Sequence, residues 1–494
     1  MRNLSIQDIF SRNAALYADR PALIDAQATI TFRELQAQAE GLAAGLHDKG
    51  VKRGDRVAVL AYNRCEWFWL MGAAARLGAI VVPLNWRLAS EELAFILTDA
   101  EPTLLVFDEA HASLAAELTT EARQAPASLP LEKLDTLVAP RQLPPSQTEG
   151  DLPFVIIYTA AVDGTPRGAV LSHHNFVFSN LQTIATLLLD PKDVNLNLLP
   201  LFHITGLNLA LAAMQAGGVN VIMPRFDAAQ ALDWTAKAGV TLMGSFPPIL
   251  SKLLEEQQRR PRALASLKHV MGLDAPATIE AFEQATGATF WTLYGQTETS
   301  GFVTLAPLRE KPGSAGRQGL LSRFRLVDEE DRDVPLGSKG EIVVQGPLVF
   351  QGFWGREEHN ARLFRSGWHH TGDLGHLDPE GYLWFGGRKP EKELIKPGGE
   401  NVYPAEVEAV IREHADVSEV TVIGVPDPQF GEGVKAVCVL QPGASLTGEA
   451  LSEFVAARIA RYKKPRYVEF VAELPHRADG SVDRAEVKRR YGQS

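Results

Sequence analysis

The segment Tyr294-Gly-Gln-Thr-Glu-Thr299 sets hydroxyls and a carboxylate behind a glycine, directly after the apolar run Thr289-Phe-Trp-Thr-Leu293. At a strand end such a cluster suits phosphate and Mg²⁺, because hydroxyls donate to phosphoryl oxygens and a hard carboxylate holds a hard cation. Taken alone, the cluster is more often a hydrogen-bonded turn. Thr371-Gly-Asp-Leu-Gly375 adds a carboxylate suited to accept from both ribose hydroxyls, or forms a plain turn. Pro200-Leu-Phe-His-Ile-Thr-Gly206 sets His203 among apolar residues, where a lone histidine is usually a satisfied core residue. Gly386-Gly-Arg388 precedes the charged stretch Lys389-Pro-Glu-Lys-Glu393, and Lys396-Pro-Gly-Gly-Glu-Asn-Val-Tyr-Pro-Ala-Glu406 follows it.

These residues need a frame. Thr31 to Gly45 puts Phe32, Leu35, Ala39 and Leu42 on one helical face, with Thr31 as N-cap and Glu34 three residues on. Asp55 to Ala61 predicts a buried strand, Cys65 to Leu77 a helix, and Ala79 to Pro83 the next strand. That rhythm predicts a mostly parallel sheet covered by helices. From about Gln124 to Asp151 the chain is rich in Pro, Ser, Ala and Gln, which predicts an irregular surface connection. The charged stretch at 389–393 predicts a solvated linker. Beyond it, Pro404–Glu413 reads as a helix, Val420–Val425 and Val434–Leu440 as strands, and Leu451–Ala460 as a helix: a small α+β domain.

With 494 residues the chain exceeds what one core supports, so at least two units are expected. A net charge of −11 speaks against a nucleic-acid partner, which needs a clustered basic surface. Cys65 and Cys438 lie far apart and outside metal-ligand spacing, and are read as packed small hydrophobes. No signal-like N-terminus and no apolar run of spanning length occur, so the expectation is a cytoplasmic protein with no integral membrane segment.

In this order, the segments resemble the adenylate-forming superfamily of acyl-CoA synthetases, luciferases and peptide-synthetase adenylation domains. Gly54-Asp-Arg-Val, Gly78-Ala-Ile-Val-Val-Pro-Leu-Asn85, Gly340-Glu-Ile-Val-Val-Gln-Gly-Pro347 and Gly367-Trp368 extend the match over nearly the whole chain. The resemblance implies an α/β fold: a large N-terminal domain of helix-covered sheets with a barrel-like subdomain, residues 1–391, and a small mobile α+β C-terminal domain, residues 392–494. It implies ATP, Mg²⁺ and coenzyme A as cofactors or co-substrates, a small carboxylic acid as substrate, and homodimers as common among relatives.

Carried over, Thr297 contacts phosphate and the acyl carboxylate, Glu298 holds Mg²⁺, and His203 lines the acyl pocket. Thr159, Gly164 and Arg167 belong to the phosphate loop. Asp274, Ala275 and Pro276 form the adenine-contacting turn, Tyr294 stacks on adenine, and Gly295 and Gln296 complete that wall. Asp373 takes the ribose with help from Arg388. The hinge falls near Lys392 and Glu393, and Gly398, Gly399 and Glu400 swing in for thioester formation.

Three departures stand out. The phosphate loop reads Tyr158-Thr-Ala-Ala-Val-Asp-Gly-Thr-Pro-Arg-Gly168, where the family is rich in hydroxyls. Asp163 there repels pyrophosphate unless Mg²⁺ or Arg167 intervenes, or itself reaches the metal. Ser481 stands where the family carries the lysine that bridges the acyl carboxylate and the α-phosphate, with Arg477, Arg484 and Lys488 as nearby substitutes. Pro390-Glu391 reads as an insertion in the hinge. The leading reading is a two-step acyl-CoA ligase, with Lys463 and Lys464 either meeting CoA phosphates or lying as solvated surface lysines. The alternative is a degenerate member that binds nucleotide or acyl-CoA without adenylating. Medium-chain, branched, alicyclic and aromatic acids all remain open.

Overall fold

The computed structural model describes residues 4–121, 126–141, 143–144, 146, 148–159, 165–389, 393–477 and 480–493. Helix Phe32–Asp48 begins where the sequence predicts, with the Thr31 hydroxyl accepting from the Glu34 amide and Glu34 answering on the Thr31 amide. The predicted strands and helix that follow are Arg56–Leu60, Glu66–Leu77 and Ile80–Pro83.

Among the described residues the strands gather into four sheets. In the first, Ala127–Pro130, Leu104–Phe107, Arg56–Leu60, Ile80–Pro83 and Pro153–Thr159 run parallel, and Arg167–Ser172 closes the edge antiparallel. The second has a parallel centre from Thr289–Gln296 through His269–Gly272, Leu242–Ser245, Val194–Asn197 and Val219–Ile222 to Pro21–Ile24, with antiparallel strands at both edges. One apolar core joins both, running from Val57 and Val81 through Phe176, Leu207 and Met214 to Ile222. Parallel strands buried on both faces must be almost wholly apolar, as Ile80–Pro83 is.

The third sheet is antiparallel, Arg323–Val327, Gly340–Gln345, His369–Leu377 and Leu383–Arg388, and stands where the barrel-like subdomain is expected. The fourth joins Val417–Asp427, Gly431–Leu440 and Tyr467–Phe470 under helices Pro404–Arg412 and Gly448–Ala456. Its apolar clusters draw on residues 395–487, and those of the other sheets end at Leu383. Cys65 and Cys438 are free and buried, as expected.

Three expectations are corrected. Within 124–151, Ala127–Pro130 is a strand, held by parallel pairing with Leu104–Phe107 rather than by any pattern of its own. The last predicted helix starts at Gly448, capped by Thr447, and ends at Ala456 instead of Ala460. The flanks of the charged linker are paired rather than solvated: Lys389 meets the buried Glu341, and Glu393 meets Arg484. Pro390, Glu391 and Lys392 lie outside the described residues.

Candidate active site

The strand Thr289–Gln296 delivers its polar end to a short 3-10 turn, Thr297–Thr299, before the chain reverses into Gly301–Pro307. The reversal is tight. A Cβ on Gly295 would sit 1.8 Å from the Gly301 carbonyl oxygen, so glycine is required at the bulge between Tyr294 and Gly295. Phe350 donates its amide to the Glu298 carbonyl at 2.9 Å, which fixes the turn against the neighbouring loop. Thr297 and Glu298 are half-buried at its surface.

Asp373 arrives from the third sheet, opposite Arg388 in register. Its Oδ2 accepts from the Tyr294 hydroxyl at 3.0 Å and from Gln296 Nε2 at 2.6 Å, and Arg388 Nε lies 3.8 Å from Oδ1. Burial and the Asp373 charge push the Tyr294 phenol well above its ordinary value, so it stays a neutral donor. The Tyr294 ring faces Phe385 at 6.4 Å in a stacked geometry. Behind Asp373 stands Glu341, 4% exposed, which accepts from His370 Nδ1 at 3.0 Å and the Gly372 amide at 3.0 Å, and pairs with Lys389 at 2.7 Å. Burial alone would raise its carboxyl, but these partners outweigh burial and hold it down at about 2.

Thr159 and Arg167 are opposite one another where the antiparallel strands Pro153–Thr159 and Arg167–Ser172 pair. Arg167 Nη1 donates to His359 Nε2 at 2.7 Å. Gly164 and Asp163 lie outside the described residues. The turn after strand His269–Gly272 carries Asp274, whose Oδ1 accepts from the Ala275 amide at 2.8 Å. Burial raises the Asp274 carboxyl. Ala275 caps helix Pro276–Thr286, with Pro276 in its first turn.

The small-domain loop reaches this site. Gly398 and Gly399 have φ of 59° and 89°, and a Cβ on Gly399 would lie 3.2 Å from the Phe246 ring. Glu400 Oε1 meets Arg87 Nη1 at 2.7 Å and His203 Nε2 at 3.0 Å, and Asn85 reaches Oε2 at 3.5 Å. Burial would raise the Glu400 carboxyl, but His203 first and Arg87 with it hold it below the ordinary value. His203 is therefore no core histidine: its side chain is 37% exposed and faces a carboxylate. Tyr403 follows, buried, with its phenol raised by burial and then by the charges of Glu298 and Asp373.

The structure thus gathers Tyr294, Gln296, Asp373 and Arg388 in one cluster and His203 with Glu400 in another. The Ser481 carbonyl accepts from the Arg477 amide at 2.8 Å. Arg484 is engaged by Glu393 at 2.9 Å and Glu408 at 2.6 Å. Lys463 is buried rather than at the surface, and Lys464 pairs with Glu453. Sequence reasoning did not single out Arg87, Glu341, His359 or Tyr403. Glu341 and Tyr403 lie inside quoted motifs, a signal that marked them without assigning a role. His359 carries no such signal.

The family described as AMP-binding enzyme matches residues 10–354, and the AMP-binding enzyme C-terminal domain matches residues 406–480. An indoleacetate–CoA ligase of Aromatoleum aromaticum is 34% identical, covering 98% of both chains. A feruloyl-CoA synthase of Amycolatopsis sp is 34% identical over the whole of both. A double mutant of the o-succinylbenzoate CoA synthetase of Bacillus subtilis, bound with a product analogue, superimposes with a TM-score of 0.87 at 29% identity, covering 97% of each chain. The same synthetase with its acyl-adenylate intermediate gives 0.73 at 30% identity, covering 99% of each. The chain belongs to the AMP-binding enzyme family.

Proposed function

We propose that this chain is an AMP-forming acyl-CoA ligase for an aryl-substituted carboxylic acid. The acid's carboxylate attacks the α-phosphate of ATP, giving an acyl-adenylate and pyrophosphate. The thiol of coenzyme A then displaces AMP, forming the thioester and losing its proton. The observation that carries this reading is the meeting of two sets of groups: the small-domain loop Gly398-Gly399-Glu400 lies against Phe246 and His203, in a chain whose Asp373 cluster suits a ribose. The relatives named above act on indoleacetate and ferulate, which supports an aryl acid here.

In this reading Asp373 and Arg388 orient the nucleotide, Tyr294 forms one wall of the adenine site, Thr297 and Arg167 meet phosphate, and His203 lines the acyl side. The protein contributes positioning and charge rather than a covalent nucleophile. Among the described residues no group of three or more His, Cys, Asp or Glu gathers as a metal cage. A single hard carboxylate, Glu298 between Thr297 and Thr299, fits a Mg²⁺ that arrives with the triphosphate, where it would neutralise phosphate charge. The better superposition on the product-analogue complex supports reading the present arrangement as the thioester-forming one. The separation of apolar clusters between Leu383 and Ile395 supports a domain boundary at 391/392. Among the described residues no helix is long and apolar enough to cross a membrane. We place the reaction in the cytoplasm, where ATP and CoA are supplied.

The test is pyrophosphate release from Mg-ATP with a panel of aryl and aliphatic acids, with and without CoA. Acid-dependent release, highest with aryl acids, is expected. No release with any acid, with nucleotide still bound by calorimetry, would overturn the reading in favour of a non-adenylating binder.

A further inference from the structure

Lys463 is 1% exposed, and a lysine is almost never so deeply buried unless paired. Its ammonium meets two carboxylates, Glu406 and Glu92. Glu406 lies on the small-domain helix Pro404–Arg412, and Glu92 lies in the first turn of helix Ser90–Ala100, in the large domain. Glu92 Oε2 accepts from the Ala89 amide at 2.7 Å, closing its own helix, and from the small-domain Ala460 amide at 3.0 Å. One large-domain carboxylate thus receives an ammonium and an amide from the small domain.

Two properties distinguish this cluster from surface ion pairs. It is buried, so its charges are little screened, and losing one partner costs far more than at an exposed pair. It is also asymmetric. If the small domain turns away, Lys463 keeps Glu406 and Glu92 keeps the Ala89 amide, so neither surface is left with a stranded charge. The contact is strong when made and can be released without stranding an ion.

We propose that Glu92 and Lys463 are positioning residues, a releasable ionic latch that holds the small domain where the Gly398-Gly399-Glu400 loop enters the active site. The latch rests on the two-step reading above, since it favours the second step. Tyr462 faces Glu92 and Glu406 of the cluster, with Glu400 and Arg87 acting on it from the other side.

The test is Glu92→Gln, which keeps the acceptor and removes the charge, with Lys463→Met as the partner variant. Two half-reactions are measured separately: acid-dependent ATP–pyrophosphate exchange, and conversion of a preformed acyl-adenylate to thioester by CoA. In E92Q the second is expected to fall about tenfold, equivalent to about 1.4 kcal/mol, with the first unchanged. A parallel fall in both would mean a structural role and overturn the proposal, as would no change in either. Small-angle scattering provides a readout independent of turnover and of how well Lys463→Met folds. E92Q is expected to broaden the interdomain distance distribution, and a distribution identical to that of the unaltered protein would overturn the latch. Should the unaltered protein form no thioester, the ligase reading fails and scattering still decides the latch.

Discussion

Ser481 leaves the first half-reaction without the charge that the family resemblance expects there. Arg484, one of the candidate substitutes, is already bound by Glu393 and Glu408, so in this arrangement it has no free charge to offer an α-phosphate. Supplying a charge donor to a developing anion is worth roughly 10²–10³ in rate. Ser481→Lys is therefore expected to raise acid-dependent pyrophosphate release by about 10², read in the same assay, and an unchanged rate would mean that another group already fills the role. Asp373→Asn keeps the size of the side chain and removes the charge that receives Tyr294 and Gln296. The KM for ATP is expected to rise about tenfold to hundredfold, as for loss of a charged hydrogen bond, with the melting temperature little changed. Thr297, Glu298 and Asp373 were legible as candidates because polar clusters behind glycines interrupt apolar strands. Arg87 was not, because its role exists only through Glu400, more than three hundred residues away in the chain.

Strands Gly340–Gln345 and His369–Leu377 carry their function through one buried group. Glu341 joins His370, Gly372 and Lys389, and so ties the backbone beside Asp373 on one side to Lys389 on the other. Its folded-state pKa lies below the ordinary glutamate value, so its stabilisation is present above about pH 4.5 and is lost as pH falls toward about 2. A difference of that size is worth on the order of 3 kcal/mol. Glu341→Gln is expected to lower the melting temperature at neutral pH and to lessen its further fall between about pH 5 and pH 3, read by thermal denaturation. Elements with their own signals, such as the Thr31-capped helix, were legible to within a few residues. Ala127–Pro130 was not, because a neighbouring strand makes it a strand. The last helix was misplaced because Thr447, outside the apolar run, sets its start.

For the molecule as a whole, the division into two units was legible from length and from the charge density near residue 390, but the contacts between them were not. Lys463 reads as a surface residue in its basic segment and is buried because Glu92 and Glu406 converge on it. Burial first, and the charge of Glu92 with it, raise the Glu406 carboxyl despite Lys463. The latched arrangement therefore favours a protonated Glu406. Its advantage is full below the ordinary value of 4.5 and declines as pH rises through the raised one. The latched fraction is expected to fall as pH rises from about 4.5 to about 7 in scattering, and Glu406→Gln to flatten that dependence. Lys389 is moored to Glu341 and Glu393 to Arg484, so three residues of chain separate two fixed posts and span at most about 14 Å. A tether that short keeps the incoming loop at an effective concentration of about millimolar or more, whatever the dilution of the enzyme. An acyl-adenylate made on one side of the hinge thus meets the second set of groups by an intramolecular swing, and its partition between thioester and loss to water is set inside one chain.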